Sequence, residues 1–207
     1  MMARMRATVM SYFLLGLIRF LTGSQARWWG CPPKAEQRIY FANHQSHADL
    51  VMIWAALPKE LRARTRAIAA KDYWTKTSFR QWITTAVFNV IYVARDRSSG
   101  DDPLEPLFDA LDQGDSIILF PEGTRGHAEE PQAFKAGLYN LARKYPKVEL
   151  IPAWINNVQR VMPKGEVVPV PVLCSVTFGA PIHLQEGEAR RVFLDRARSA
   201  VIALRDV

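Results

Sequence analysis

Short apolar runs alternate along this chain with amphipathic stretches, and the alternation predicts most of its elements. Residues 7–22 are apolar, with Arg4 and Arg6 ahead of them and Arg19 as the only interruption. Arg38-Ile39-Tyr40-Phe41 is β-prone. A polar stretch from Asn43 to Asp49 separates it from an apolar helical run, Leu50 to Leu57, which Pro58 closes. Residues 66–70, 87–93, 116–120, 148–154 and 172–178 read as further strands, rich in β-branched and aromatic side chains. Asp101-Asp102-Pro103 puts acids and proline into the first turn of a helix that Gly114 stops. Helices are also predicted from Phe134 to about Pro146 and over residues 188–205. Residues 162–171 are Pro/Gly-rich and read as a loop. Strands alternating with helices, without repeats or linkers, indicate a single α/β domain over residues 31–207.

Residues 1–30 stand apart as an N-terminal membrane-associating segment. The uninterrupted part of 7–22 is too short to span about 30 Å of hydrocarbon. A positive start and an apolar middle also suit a signal peptide, but no small-x-small cleavage site follows cleanly. An interfacial helix is the preferred reading, with Trp28 and Trp29 as headgroup-level anchors. The alternative is a core helix docked on the domain.

Charge sharpens this picture. The net charge is +7 and unevenly spread. Residues 1–40 hold six Lys/Arg against one acid, and residues 59–80 hold seven against two. Residues 95–130 hold three basic residues against ten acids. The N-terminal half therefore favours an anionic partner: nucleic acid, an acidic membrane surface or a phosphorylated substrate. Aromatic and basic residues interleave at Lys71-Asp72-Tyr73-Trp74 and Phe79-Arg80-Gln81-Trp82, which suits a membrane interface as well as nucleic acid. No nucleic-acid motif is present, so no nucleic-acid partner is expected. Cys31 and Cys174 have no CxxC spacing and read as small buried apolar residues in a reducing compartment.

The candidate chemistry sits in Asn43-His44-Gln45-Ser46-His47-Ala48-Asp49, between a strand and a helix. Strand ends are where α/β folds place ligands. His44 can take a proton from a weak nucleophile, and Asp49, folded back onto the other ring nitrogen, would fix its tautomer. A zinc site of His44, His47 and Asp49 is the competing reading, but a convincing fourth ligand is missing. A second strand runs into Pro121-Glu122-Gly123-Thr124-Arg125-Gly126, a tight turn carrying Glu122 and Arg125. Arg125 could fork a phosphate or carboxylate, or simply pair with Glu122 at the surface. His127 and His183 have no evident partners and read as structural or exposed.

With His44-x4-Asp49 and Glu122-Gly123-Thr124-Arg125 in one chain, the sequence resembles the 1-acylglycerol-3-phosphate acyltransferase (PlsC-like) family. Val90 to Arg95 resembles that family's second block, Leu150-Ile151-Pro152-Ala153 its fourth, and Phe134-Lys135-Ala136-Gly137 a recurrent element. The resemblance runs from about residue 39 to 180. It implies a central mixed, largely parallel sheet flanked by helices. It implies transfer of a fatty acyl group from acyl-CoA or acyl carrier protein to the sn-2 hydroxyl of 1-acyl-sn-glycerol-3-phosphate. His44 would be the general base and Asp49 its partner. Arg125, with Arg95 and Lys135, would hold the acceptor's phosphate. Glu122 would hold a glycerol hydroxyl or position Arg125, and Gly123 and Thr124 would complete the binding turn. No metal or redox cofactor is implied, because a thioester is already activated. Main-chain N–H groups near the His44 turn are candidate oxyanion donors. The implied location is the cytoplasmic face of the membrane. The basic run 59–80 would meet anionic lipid, the phosphates of CoA or an acidic carrier protein. The rival readings are another lyso-lipid acceptor, a thioester hydrolase using water, and a non-catalytic lipid-binding protein.

Overall fold

Strand β2 (Arg38–Ala42) is buried at all five positions, as a strand covered on both faces must be. Ile39 and Phe41 point into one apolar cluster, and Tyr40 and Ala42 into another on the opposite face. The computed structural model describes residues 2–23, 25–46, 48–70, 77–93, 102–126, 128, 130–156 and 174–207. Around β2 lie β1 (Gln25–Trp28), β3 (Thr65–Ala70), β4 (Ile91–Val93), β5 (Ser116–Leu119), β6 (Glu149–Asn156) and β7 (Ser175–Phe178). They form one seven-stranded sheet in the order β1-β7-β6-β2-β5-β3-β4. The β6–β7 pair is antiparallel, and every other pair is parallel. Phe41 lies opposite Leu119, the last residue of β5, so β2 and β5 end together beside the His44 turn, while β6 runs on past Ala153, the partner of Ala42.

Helices cover both faces. On one lie α1 (Met2–Thr22), α2 (Asp49–Ala56), α3 (Lys59–Ala63) and α4 (Ser78–Ala86). On the other lie α5 (Glu105–Asp112), α6 (Gly137–Lys144) and α7 (Arg190–Ile202). The sheet is therefore a mixed, largely parallel one flanked by helices, as the resemblance implies.

Three local expectations change. The run 87–93 is a strand only from Ile91. Helical hydrogen bonding carries on past α4, with Val87 N–H donating to the Ile83 carbonyl at 2.9 Å. Asn89 then turns the chain at φ 49°, a conformation Asn tolerates better than most residues. Phe88 packs edge-on against Trp54 at 5.0 Å, so its apolar character serves packing between helices. Strand β1 was not expected at all; it is a largely exposed edge strand. Within it Trp28 stacks on Phe178 at 4.2 Å and is part of the domain's packing, whereas Trp29 is exposed. Finally, α1 is apolar on two faces. Leu15 is buried, with Met10, Leu14 and Ile18 packed beside it on the core. Met5, Val9, Phe13 and Phe20 are exposed. Among the described residues no helix is long and apolar enough to cross a membrane.

Candidate active site

Asn43 continues β2 by one residue and is itself buried. Its side-chain amide donates to the Ile155 carbonyl at 3.1 Å, and its Oδ1 accepts the Ile155 N–H at 2.8 Å. A side chain thus replaces a ladder rung, and the chain is free to leave the sheet at His44 while still fixed to β6.

His44 Nδ1 lies 2.8 Å from Asp49 Oδ2. The same oxygen accepts the main-chain N–H groups of Gln45 at 2.6 Å and Ser46 at 2.8 Å. An oxygen that already accepts two N–H donors is an acceptor toward the imidazole too, so Nδ1 carries a proton and, in the neutral ring, Nε2 holds the lone pair. Nε2 hydrogen-bonds to no described residue. The ring stacks on Phe120 at 4.3 Å and is partly open to solvent. Asp49 is buried at the first position of α2, where the helix dipole favours a carboxylate.

The second turn clasps the first. Glu122 is buried, and its Oε1 accepts the His44 N–H at 2.7 Å. Its Oε2 accepts the Gln132 N–H at 2.7 Å. Gly126 N–H donates to the His44 carbonyl at 2.8 Å. Both main-chain groups of His44 are therefore held by the Glu122–Gly126 turn. Burial pushes the Glu122 carboxyl above its usual range, while the Gln132 and His44 N–H donors pull it down. Each Glu122 oxygen thus holds one main-chain donor, and among the described residues no ion pair joins Glu122 to Arg125.

Gly123 sits at φ 70°, and a Cβ there would lie 2.5 Å from the Lys135 ammonium. Glycine thus lets Lys135 lie across the turn. The Lys135 N–H donates to the Pro121 carbonyl at 2.8 Å, and Phe134 anchors this segment in the core against Phe41. Thr124 and Arg125 are exposed on the turn. The structure thus brings His44, Asp49, Glu122, Gly123, Thr124, Arg125 and Lys135 to one end of the sheet. Arg95, His47 and His127 lie outside the described residues.

Other expectations need revising. The N–H groups of His44, Gln45 and Ser46 are all engaged, so these described residues of the turn offer no open oxyanion donor. His183 is exposed, as expected, with Nε2 3.7 Å from a Glu149 carboxylate oxygen. Both cysteines, by contrast, are buried as expected, and burial raises their thiol pKa values, that of Cys174 to about 11. Among the described residues no three His, Cys, Asp or Glu side chains are grouped to hold a metal. The site residues that sequence reasoning did not single out are Asn43 and Gln132, whose roles depend on main-chain partners far along the chain.

Residues 32–156 match the family described as Acyltransferase, and the chain belongs to that family. It is 27% identical over 135 residues to a 1-acyl-sn-glycerol-3-phosphate acyltransferase of Chlamydomonas reinhardtii, covering 65% of this chain and 39% of that one. It is 26% identical over 177 residues to the chloroplastic 1-acyl-sn-glycerol-3-phosphate acyltransferase of Arabidopsis thaliana, covering 85% and 47%. The chain thus spans less than half the length of these two relatives. In fold it is similar to the crystal structure of the 1-acyl-sn-glycerophosphate acyltransferase PlsC of Thermotoga maritima. The TM-score is 0.69 at 22% identity, covering 96% of this chain and 79% of that one.

Proposed function

We propose that the chain transfers a fatty acyl group from an acyl-CoA or acyl-carrier-protein thioester to the sn-2 hydroxyl of 1-acyl-sn-glycerol-3-phosphate, giving phosphatidate. The observation that carries this reading is the His44–Asp49 pair. Nδ1 is bonded to a buried carboxylate at 2.8 Å and Nε2 is left without a described partner. The names of the relatives point the same way for the acceptor.

In this reading Nε2 of His44 removes the hydroxyl proton as the oxygen attacks the thioester carbonyl. The tetrahedral intermediate collapses with cleavage of the C–S bond, and the imidazolium returns the proton to the departing thiolate. Asp49 holds the ring and offsets the charge that forms on it. General-base help of this kind is worth about 10²–10⁴-fold in rate. The N–H groups of Thr124 and Arg125 bond to no described residue and are available to a developing oxyanion. Arg125 and Lys135 neutralise the acceptor's phosphate, with Arg95 as a third cation from the second block. Glu122 acts through the main chain, holding the His44 turn in place.

The exposed apolar face of α1, from Met5 to Phe20, supports an interfacial seat on the membrane; the cytoplasmic side is part of the proposal. The test is thiol release by the purified protein in detergent, with either donor, with and without 1-acyl-sn-glycerol-3-phosphate. Release that requires the acceptor supports the proposal. Release independent of acceptor points to a hydrolase and contradicts it.

A further inference from the structure

A concavity lies between α1 and the corner joining α2 to α3. It encloses about 430 Å³ and is lined by Thr8, Ser11, Tyr12, Trp54, Lys59 and Arg62, among others. Its chemistry is one-sided. The Arg62 guanidinium lies 4.6 Å from the centre of the Trp54 ring, and its Nη1 reaches the Leu57 carbonyl at a long 3.4 Å. The rest of the fork bonds to nothing described. Among the described residues neither Arg62 nor Lys59 forms an ion pair with a carboxylate. Burial, with the like charge of Arg19 added to it, holds the Arg62 guanidinium below its usual range; Tyr12 and Glu60 only partly offset this. A half-buried guanidinium over an aromatic face, with like charge nearby and no ion pair among the described residues, is suited to receive an anion.

The position of the cleft says more. At about 100° per residue, Thr8, Tyr12 and Arg19 fall along one edge of α1. That edge lies between the face docked on the core, through Met10, Leu15 and Ile18, and the exposed apolar face of Met5, Val9, Phe13 and Phe20. Cations thus line the border of an apolar stripe.

We propose that this cleft is a phosphate-binding site separate from the one beside His44, with Arg62 and Lys59 as anion ligands and the Tyr12 hydroxyl as a further donor. A lipid headgroup would enter it from the apolar stripe, and a soluble phosphoester would present the same group from solution. The inference uses no step of acyl transfer, so binding measurements test it independently of the activity.

The full chain would be measured for binding to three probes. The first is phosphatidylglycerol in galactolipid vesicles. The second is oleate in galactolipid vesicles, matched in surface charge but free of phosphate. The third is adenosine 3′,5′-bisphosphate in detergent. The variants are Arg62→Gln, the exposed Lys59→Gln, their combination, and a charge-matched control, Lys34→Gln with Lys147→Gln. Thermal melts would confirm that each variant is folded; Lys59→Gln, being at the surface, keeps the test available if Arg62→Gln is not. At least a tenfold loss on phosphatidylglycerol vesicles in the double variant, with oleate vesicles and the control pair unaffected, supports a headgroup site. The same loss confined to the bisphosphate supports the site and assigns its ligand to solution. Equal losses on both vesicle types reduce the cleft to bulk charge, and no loss on any probe removes it as a site; either result overturns the proposal.

Discussion

The Glu122 carboxylate accepts the main-chain N–H of His44 at 2.7 Å, across 78 residues of sequence. Its other oxygen takes the Gln132 N–H. One buried side chain thus ties the His44 turn to the turn beyond β5 and to the segment leading to Lys135. Glu122→Gln puts an NH2 group against one of those donors. The expected result is a fall in kcat of about tenfold to a hundredfold, the scale of an ångström-level misplacement. KM for the acceptor should change less, because the contacts of Glu122 run to the main chain of His44 and Gln132. A raised KM at unchanged kcat would return Glu122 to substrate binding.

The same carboxyl makes a prediction about pH. Burial raises its folded-state pKa above the ordinary value of 4.5. A raised carboxyl contributes stability in its protonated form, below the unfolded value, and loses that contribution as pH rises through the folded value. Glu122→Gln cannot titrate. The stability of the native protein relative to this variant should therefore fall as pH rises from 4.5. Urea unfolding across that window checks this, and a relative stability that rises instead would contradict the buried-acid assignment.

Asp49→Asn keeps an oxygen for the Gln45 and Ser46 donors but removes the charge opposite His44. Activity is expected to drop by about 10⁴-fold, as when a buried triad carboxylate is made neutral, with the melting temperature little changed. A loss below about tenfold would mean that Asp49 is chiefly a helix-start residue.

Gly123→Ala forces a left-handed conformation on a residue with a Cβ, directly against the Lys135 ammonium. Backbone strain alone costs on the order of 1 kcal/mol or more. Lys135 must move as well, so KM for 1-acyl-sn-glycerol-3-phosphate should rise. Lys135→Ala should raise KM in the same way without the loss of stability. If Lys135→Ala leaves KM unchanged, the ammonium is not a phosphate ligand.

Asn43→Ala deletes a buried pair of hydrogen bonds to β6 and leaves the Ile155 N–H without a partner. The expected cost is about 1–3 kcal/mol by denaturant unfolding, accompanied by reduced activity because His44 is the next residue.

Much of this was legible in the sequence because it depends on near neighbours. His44 and Asp49 are five residues apart, and one turn of chain folds one onto the other. Residues 39–42, 117–119 and 150–155 are continuous apolar runs because both faces of their strands are covered. What was not legible depends on distant main-chain partners. Glu122 reads as a ligand for a cation or a hydroxyl, since nothing in Glu-Gly-Thr-Arg announces two backbone donors at residues 44 and 132. Likewise the His44 turn reads as a store of free N–H groups, but its carboxylates occupy them. Gln25 to Trp28 has no strand signature; it is an exposed edge strand, held by parallel pairing with residues 175–178. In α1, apolar side chains surround the helix, so periodicity could not separate the docked face from the exposed one.

The central claim is that His44 is the base in a transfer to 1-acyl-sn-glycerol-3-phosphate. The most direct measurement is mass-spectrometric quantitation of phosphatidate made from a thioester donor by the native protein and by His44→Ala, both shown to be folded. The account predicts acceptor-dependent phosphatidate from the native protein and a loss of at least about 10²-fold in the variant. Phosphatidate formed at comparable rates by His44→Ala would contradict it.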